Sequence, residues 1–158
     1  MAKGRNPAGN GATRNGAKIS RTIARKSQLP IKAIHTIDAG EKISMIRNGV
    51  SKSDLEAIKE QSGLDYDTLS KILAVSRATL INKKGAEKFD TATSERILFL
   101  ADTLAYGQSV FEDRDRFNVW MKNSNKALGD KTPIELMDTL YGMQEIKKLI
   151  GRIEYGVF

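Results

Sequence analysis

The chain has 158 residues, 26 basic and 19 acidic for a net charge of +7, with one histidine and no cysteine. That length holds one domain or two small ones, and the missing cysteines exclude disulfides and thiolate metal sites. No apolar run is long enough to cross a membrane, and the start, MAKGRNPAGNGATRNGAK, has no apolar stretch of the kind a signal peptide needs, so a cytoplasmic bacterial protein with no membrane partner is expected.

The charge is uneven. Residues 1–37 hold eight basic side chains and no acidic one, which leaves 18 basic against 19 acidic in the rest. Residues 1–36 read as a basic arm, and up to about Ala17 its Gly/Asn/Ala composition offers too little apolar surface to offset the entropy of ordering it. Such an arm either neutralises nucleic-acid phosphates or simply keeps the chain soluble. The stretch GATRNGAK, Gly11 to Lys18, approaches the spacing of a phosphate-binding loop. Ala17 stands where the lysine must be and no apolar strand precedes it, so no nucleotide site is assigned.

Residues 37–89 read as short helices separated by breakers. Asp38 caps a first helix that ends near Gly49. Ser53 and Glu56 form a capping box for a second helix that runs to about Gln61, with Leu55 and Ile58 inward and Gly63 ending it. From Leu64 to Lys84 the spacing is that of a helix-turn-helix. Asp65 caps a helix carrying Leu69, Ile72 and Leu73, Ala74 and Val75 make the turn, and Ser76 caps a second helix with Leu80 inward. Lys83 stands where such motifs place a final buried aliphatic. On the outer side, Arg77 can fork onto guanine, Asn82 can pair with adenine, and Ala78 or Ile81 can touch a thymine methyl, with Ser76 at the cap. Lys83 and Lys84 suit phosphate contacts. The same spacing also fits a helical hairpin that only scaffolds a dimer, with exposed Ile81 as a contact.

Residues 90–111 read as a linking helix from Thr91 to Val110, capped by Asp90, with Ile97, Leu100, Ala101, Leu104 and Ala105 on one face. Arg96 either anchors a carboxylate or lies in solvent. Glu112, Asp113 and Asp115, set between Arg114 and Arg116, read as a solvated hinge rather than a magnesium or acid–base site. His35 has no partner of catalytic type and is structural or exposed. With no catalytic triad, metal cluster or cofactor motif, the chain is expected not to be an enzyme and to need no cofactor.

Residues 112–158 close the chain. Trp120 is expected in a core. Thr132, Pro133 and Glu135 form a capping box with proline at the first helical position, and that helix is expected to stop before Gly142. Ile146, Leu149, Ile150 and Ile153 then recur at helical spacing, and Gly156 releases Val157 and Phe158. The fold class is all-α.

Trp120, Ala127, Leu128, Gly129, Thr132, Pro133, Leu136, Gly142 and the run Arg152, Ile153, Glu154, Tyr155, Gly156, Val157 fall in order on a family pattern. This stretch resembles the C-terminal toxin-binding domain of the Xre/MbcA/ParS antitoxins. It departs at Ser124, where the family usually has proline, and at Asp130, where it usually has a second glycine. The helix-turn-helix region resembles the Xre-type domain that precedes it in the same antitoxins, and Ser94 to Arg96 match the family's linker helix. The resemblance implies a type II antitoxin whose cognate RES-type toxin consumes NAD. Arg152, Glu154, Tyr155, Gly156, Val157 and Phe158 would cover the toxin's active site, with Tyr155 and Phe158 as apolar anchors. It further implies binding to operator DNA, repression of the chain's own operon, a homodimer and a higher-order complex with the toxin. The alternative is a stand-alone helix-turn-helix regulator whose C-terminal lobe mediates oligomerisation.

Overall fold

The computed structural model describes residues 29–157. Most of the basic arm, the segment resembling a phosphate-binding loop, and Phe158 lie outside them. A short 3-10 turn, Ile34–Thr36, leads into α1 (Ala39–Asn48), whose N-cap Asp38 accepts from the Glu41 amide at 3.0 Å. Next comes α2 (Lys52–Ser62), ended by Gly63 in left-handed geometry. Its cap is Ser51 with Asp54, two residues earlier than the expected Ser53–Glu56 box. The reason is long-range: the Lys52 and Ser53 amides donate to the carbonyls of Glu87 (2.8 Å) and Gly85 (2.9 Å), and the Ser53 hydroxyl also donates to Gly85. A later loop thus satisfies amides that every helix start leaves without an intrahelical partner.

The helix-turn-helix forms as the spacing indicates. α3 (Tyr66–Leu73) is capped by Asp65, Ala74 turns at φ +54, and α4 (Arg77–Asn82) is capped by Ser76. Leu69, Ile72, Leu73 and Leu80 are fully buried. Lys83 follows α4 in extended backbone, and buried Phe89 fills the space beneath it, with the Lys83 ammonium 5.4 Å from the ring centroid.

The 21-residue helix α5 (Thr91–Phe111), about 32 Å long at 1.5 Å per residue, is the spine on which the rest packs. The expected apolar face is buried, and so are Leu98, Asp102 and Thr103, because neighbours cover the helix from several sides. α1 runs antiparallel to it: Ser94 Oγ accepts from the Val50 amide, Lys42 meets Asp102, and His35 stacks on Tyr106 at 5.5 Å. After α6 (Arg114–Lys122), a second 3-10 turn (Lys126–Leu128) and α7 (Pro133–Leu136), α8 (Leu140–Glu154) returns parallel to α5. Contacts from Arg96 to Asp138, Asp102 to Lys147 and Tyr106 to Glu154 mark that direction. Buried side chains from Ile31 to Ile150 form one continuous cluster.

Two expectations for the C-terminal region are corrected. The helix from Pro133 ends at Leu136, well short of Gly142, and Gly142 does not stop it but lies in the first turn of α8, where the Thr139 side chain caps its amide at 3.0 Å. Gly142 is needed for contact: a Cβ there would lie 1.7 Å from the Leu136 carbonyl oxygen. The fully buried aromatic of this region is Phe117, not Trp120. Phe117 presses on Gly107 of α5, where an added Cβ would come within 2.1 Å of the ring. Trp120 is half-buried, stacked on Phe117 at 5.8 Å.

Candidate functional site

Two exposed surfaces carry the residues singled out by sequence. The first is the outer face of α4. Ser76, Arg77, Ala78, Ile81, Asn82 and Lys84 are exposed and Lys83 is half-buried, so the helix-turn-helix brings all seven to one end of the fold. Arg77 Nη1 lies 3.3 Å from Asp67 Oδ1 on α3, an exposed pair that holds the guanidinium beside the helix start. Such pairs contribute at most about 1 kcal/mol, so Arg77 can exchange Asp67 for another acceptor at little cost.

Behind α4 lies a polar cluster that sequence reasoning missed. Lys52, the buried lysine of α2, donates to the Tyr66 hydroxyl at 2.6 Å and to the Leu80 carbonyl, and its ammonium lies 2.6 Å from Glu56 Oε1. The Tyr66 hydroxyl donates to Glu56. Burial alone would raise the Glu56 carboxyl, but the hydrogen bonds from Lys52 and Tyr66 outweigh it and hold the group below its ordinary 4.5. Burial, followed by donation to Glu56, pushes the Tyr66 phenol up. In sequence, Lys52 reads as one more surface lysine.

The second surface is the tip of α8. Arg152, Glu154, Tyr155, Gly156 and Val157 are all exposed, with Tyr155 at 77% and Val157 at 59%. The helix ends in a tight cap: the Gly156 amide donates to Ile153, the Val157 amide donates to Arg152 at 2.8 Å, and Gly156 sits at φ +63. Glu154 is not free, since it accepts from the Tyr106 hydroxyl. Burial and that bond push Tyr106 up to about 12.

Two links tie the N-terminal helices to the C-terminal segment through α5. Asp102, buried on the spine, pairs with Lys42 of α1 at 3.1 Å and with Lys147 of α8. Arg96 donates to the Ile72 carbonyl of α3 at 3.1 Å and reaches the Asp138 carbonyl at 3.5 Å, so it anchors carbonyls instead of a carboxylate. An acid inside an apolar helical stripe is the sequence signal that points to Asp102.

Elsewhere, Asp113 caps α6 by accepting from the Asp115 and Arg116 amides. No group of three metal-ligating side chains occurs among the described residues. His35 packs against Tyr106, and its buried Nδ1 has no hydrogen-bond partner among the described residues. No described helix is long and apolar enough to cross a membrane.

A helix-turn-helix followed on a shared spine by a capped, solvent-facing helix defines an all-helical protein with a helix-turn-helix module among the described residues. Residues 41–102 match the antitoxin Xre-like helix-turn-helix domain, and residues 107–156 match the antitoxin Xre/MbcA/ParS C-terminal toxin-binding domain. The chain belongs to the Xre/MbcA/ParS antitoxin family. The Prs ADP-ribosylating antitoxin of a Sphingobium species is 29% identical over 154 residues, spanning 87% of this chain and 96% of its own. Antitoxin Xre of Photorhabdus laumondii is 35% identical over 74 residues, 46% of this chain and 50% of its own length. In the M. tuberculosis MbcT–MbcA toxin–antitoxin complex, one chain superposes with a TM-score of 0.50 at 24% identity, covering 68% of this chain and 96% of that one, a likeness of fold.

Proposed function

We propose that this antitoxin neutralises a RES-type toxin by seating the tip of α8 in the toxin's NAD site, and that it represses its own operon through α4. The observation that carries the first half is the exposed Tyr155 and Val157 beyond a capped helix, within the segment matched as toxin-binding. The cap holds Tyr155 in place before any partner arrives, which lowers the ordering cost of binding. The name of the Sphingobium relative couples an antitoxin to ADP-ribosylation, a reaction that breaks the nicotinamide–ribose bond of NAD. That supports a partner that consumes NAD, whether ADP-ribose goes to water or to a protein side chain.

The second half rests on the exposure of the α4 face. A single helix-turn-helix reads few base pairs, so a homodimer reading half-sites about one DNA turn, roughly 34 Å, apart is the proposed operator-bound form. The functional boundaries we propose are residues 37–89 for DNA and 112–158 for the toxin, joined by 90–111.

Two variants separate the halves when the chain is co-expressed with the toxin encoded beside it. Deleting Tyr155 to Phe158 is expected to restore NAD loss while leaving operator affinity within about twofold; full neutralisation by the truncated chain would refute the tip. Arg77→Ala is expected to weaken specific operator binding by about tenfold or more, the scale of one bidentate base contact, with neutralisation intact. An unchanged footprint would remove α4 as the reader.

A further inference from the structure

Lys52 has a place in the fold that neither the toxin surface nor the DNA face explains. It is the one buried lysine among the described residues, at 6% exposure. An ammonium has three N–H bonds, and here each has an acceptor: the Tyr66 hydroxyl, the Glu56 carboxylate and the Leu80 backbone carbonyl. The Tyr66 ring lies under the charge, 4.5 Å from centroid to Nζ.

Leu80 belongs to α4, a helix ill-equipped to hold itself. Its six residues are far fewer than a helix needs to be stable alone, and Leu80 is its one buried side chain. Past Asn82 the backbone goes straight to an extended conformation at Lys83 (φ −66°, ψ 146°). The lysine therefore supplies a positive charge at the negative end of the helix, bonded to a carbonyl there. A methionine could fill the same volume without the cost of desolvating an ammonium. What the charge adds is direction, since three bonds fix where the Leu80 carbonyl lies and so fix the pitch and roll of α4. The loop after α4 is pinned to the same end of α2, through the Gly85 and Glu87 carbonyls on the Ser53 and Lys52 amides.

We infer that Lys52 is the positioning residue of the recognition helix: from inside the fold it sets the angle at which Arg77 and Asn82 meet base edges, without touching DNA. The inference rests on the operator-binding reading. Base readout tolerates displacements of only about 0.5 Å and 10–20° in a supporting shell, so loosening α4 removes specific binding before it removes general attraction to DNA.

The test uses the full-length chain, a labelled duplex from upstream of its own gene, and a scrambled duplex, titrated at several salt concentrations. Lys52→Met is expected to lose at least tenfold in affinity for the upstream duplex, while scrambled-duplex affinity and the salt slope stay at wild-type values. Lys83→Ala with Lys84→Ala is expected to weaken binding to both duplexes and to flatten the slope by roughly two phosphate contacts. Hydrogen exchange of the amides of residues 77–82 is expected to speed up at least tenfold in Lys52→Met, with α1 and α8 unchanged. A folded Lys52→Met protein with wild-type specific affinity overturns the proposal, and so does one that weakens on both duplexes with a flattened slope, because that marks a phosphate contact. If Lys52→Met does not fold, Tyr66→Phe removes one acceptor and keeps the ring. It is expected to lose about threefold on the upstream duplex alone, and no loss overturns the proposal. Failure of the wild-type chain to prefer the upstream duplex would defeat the operator reading instead, and the exchange rates of α4 would still decide whether Lys52 holds it.

Discussion

Asp130 sits at φ +63 directly after Gly129 at φ +67, so two successive residues occupy left-handed backbone in the turn before Thr132. Aspartate tolerates that conformation better than most residues but less well than glycine. Asp130→Gly is therefore expected to raise stability by about 0.5–1 kcal/mol, seen as an increase of a few degrees in Tm. Gly142→Ala acts in the opposite sense. Its new methyl would collide with the Leu136 backbone oxygen, which no side-chain rotation relieves, and a loss of about 3 kcal/mol or more is expected in denaturant melts. In sequence Gly129 and Gly142 look alike, because a glycine that turns the chain and a glycine that touches a neighbour carry the same letter. Acid sensitivity also belongs to single residues. Glu56 is held below its ordinary 4.5 by bonds that outweigh its burial, and Asp65 and Asp90 are held below 3.8 by the amides and hydroxyls of Thr68 and Thr93. Groups depressed by folding add stability that is complete above their unfolded values and lost as pH falls through the folded ones. Unfolding monitored by circular dichroism should thus be independent of these groups above about pH 5 and become easier below about 4.5.

Elements behaved according to where their partners lie. Caps that work over three residues, such as those of Asp38, Asp65, Ser76, Asp90 and Thr132, were legible because their chemistry is written next to the helix they start. The start of α2 was not, since its amides are completed by Gly85 and Glu87, more than thirty residues on. The same holds for the joint between elements at Asp102, where one buried carboxylate is shared by lysines from α1 and α8. Removing it leaves two cations without their acceptor. Asp102→Ala is expected to cost roughly 2–4 kcal/mol, toward the lower end because both lysines reach solvent. A double-mutant cycle with Lys147→Met should show non-additivity, and strict additivity would mean that the pair contributes nothing.

At the scale of the molecule, the two matched segments share one spine and one buried cluster. Cooperative unfolding as a single unit is the expected result: Trp120 fluorescence, which reports on α6, and far-ultraviolet circular dichroism should give coincident transitions, and separated midpoints would show two independent units. The helical fold class and the helix-turn-helix with its exposed α4 face were legible from periodicity and spacing, whereas Lys52 became visible only once α2 and α4 were seen side by side. The parallel course of α5 and α8 has a further consequence, for the order of assembly. Its contacts join residues 42, 45 and 48 positions apart, whereas α3 and α4 meet across a three-residue turn. Closing the longer loops demands more chain entropy before any contact repays it. The helix-turn-helix can therefore form early in synthesis, while the spine stays uncovered on one side until α8 has been made. A protease cut within α8 would bare that apolar side again, so the lifetime of the protein is tied to the same helix that carries the exposed Tyr155 and Val157.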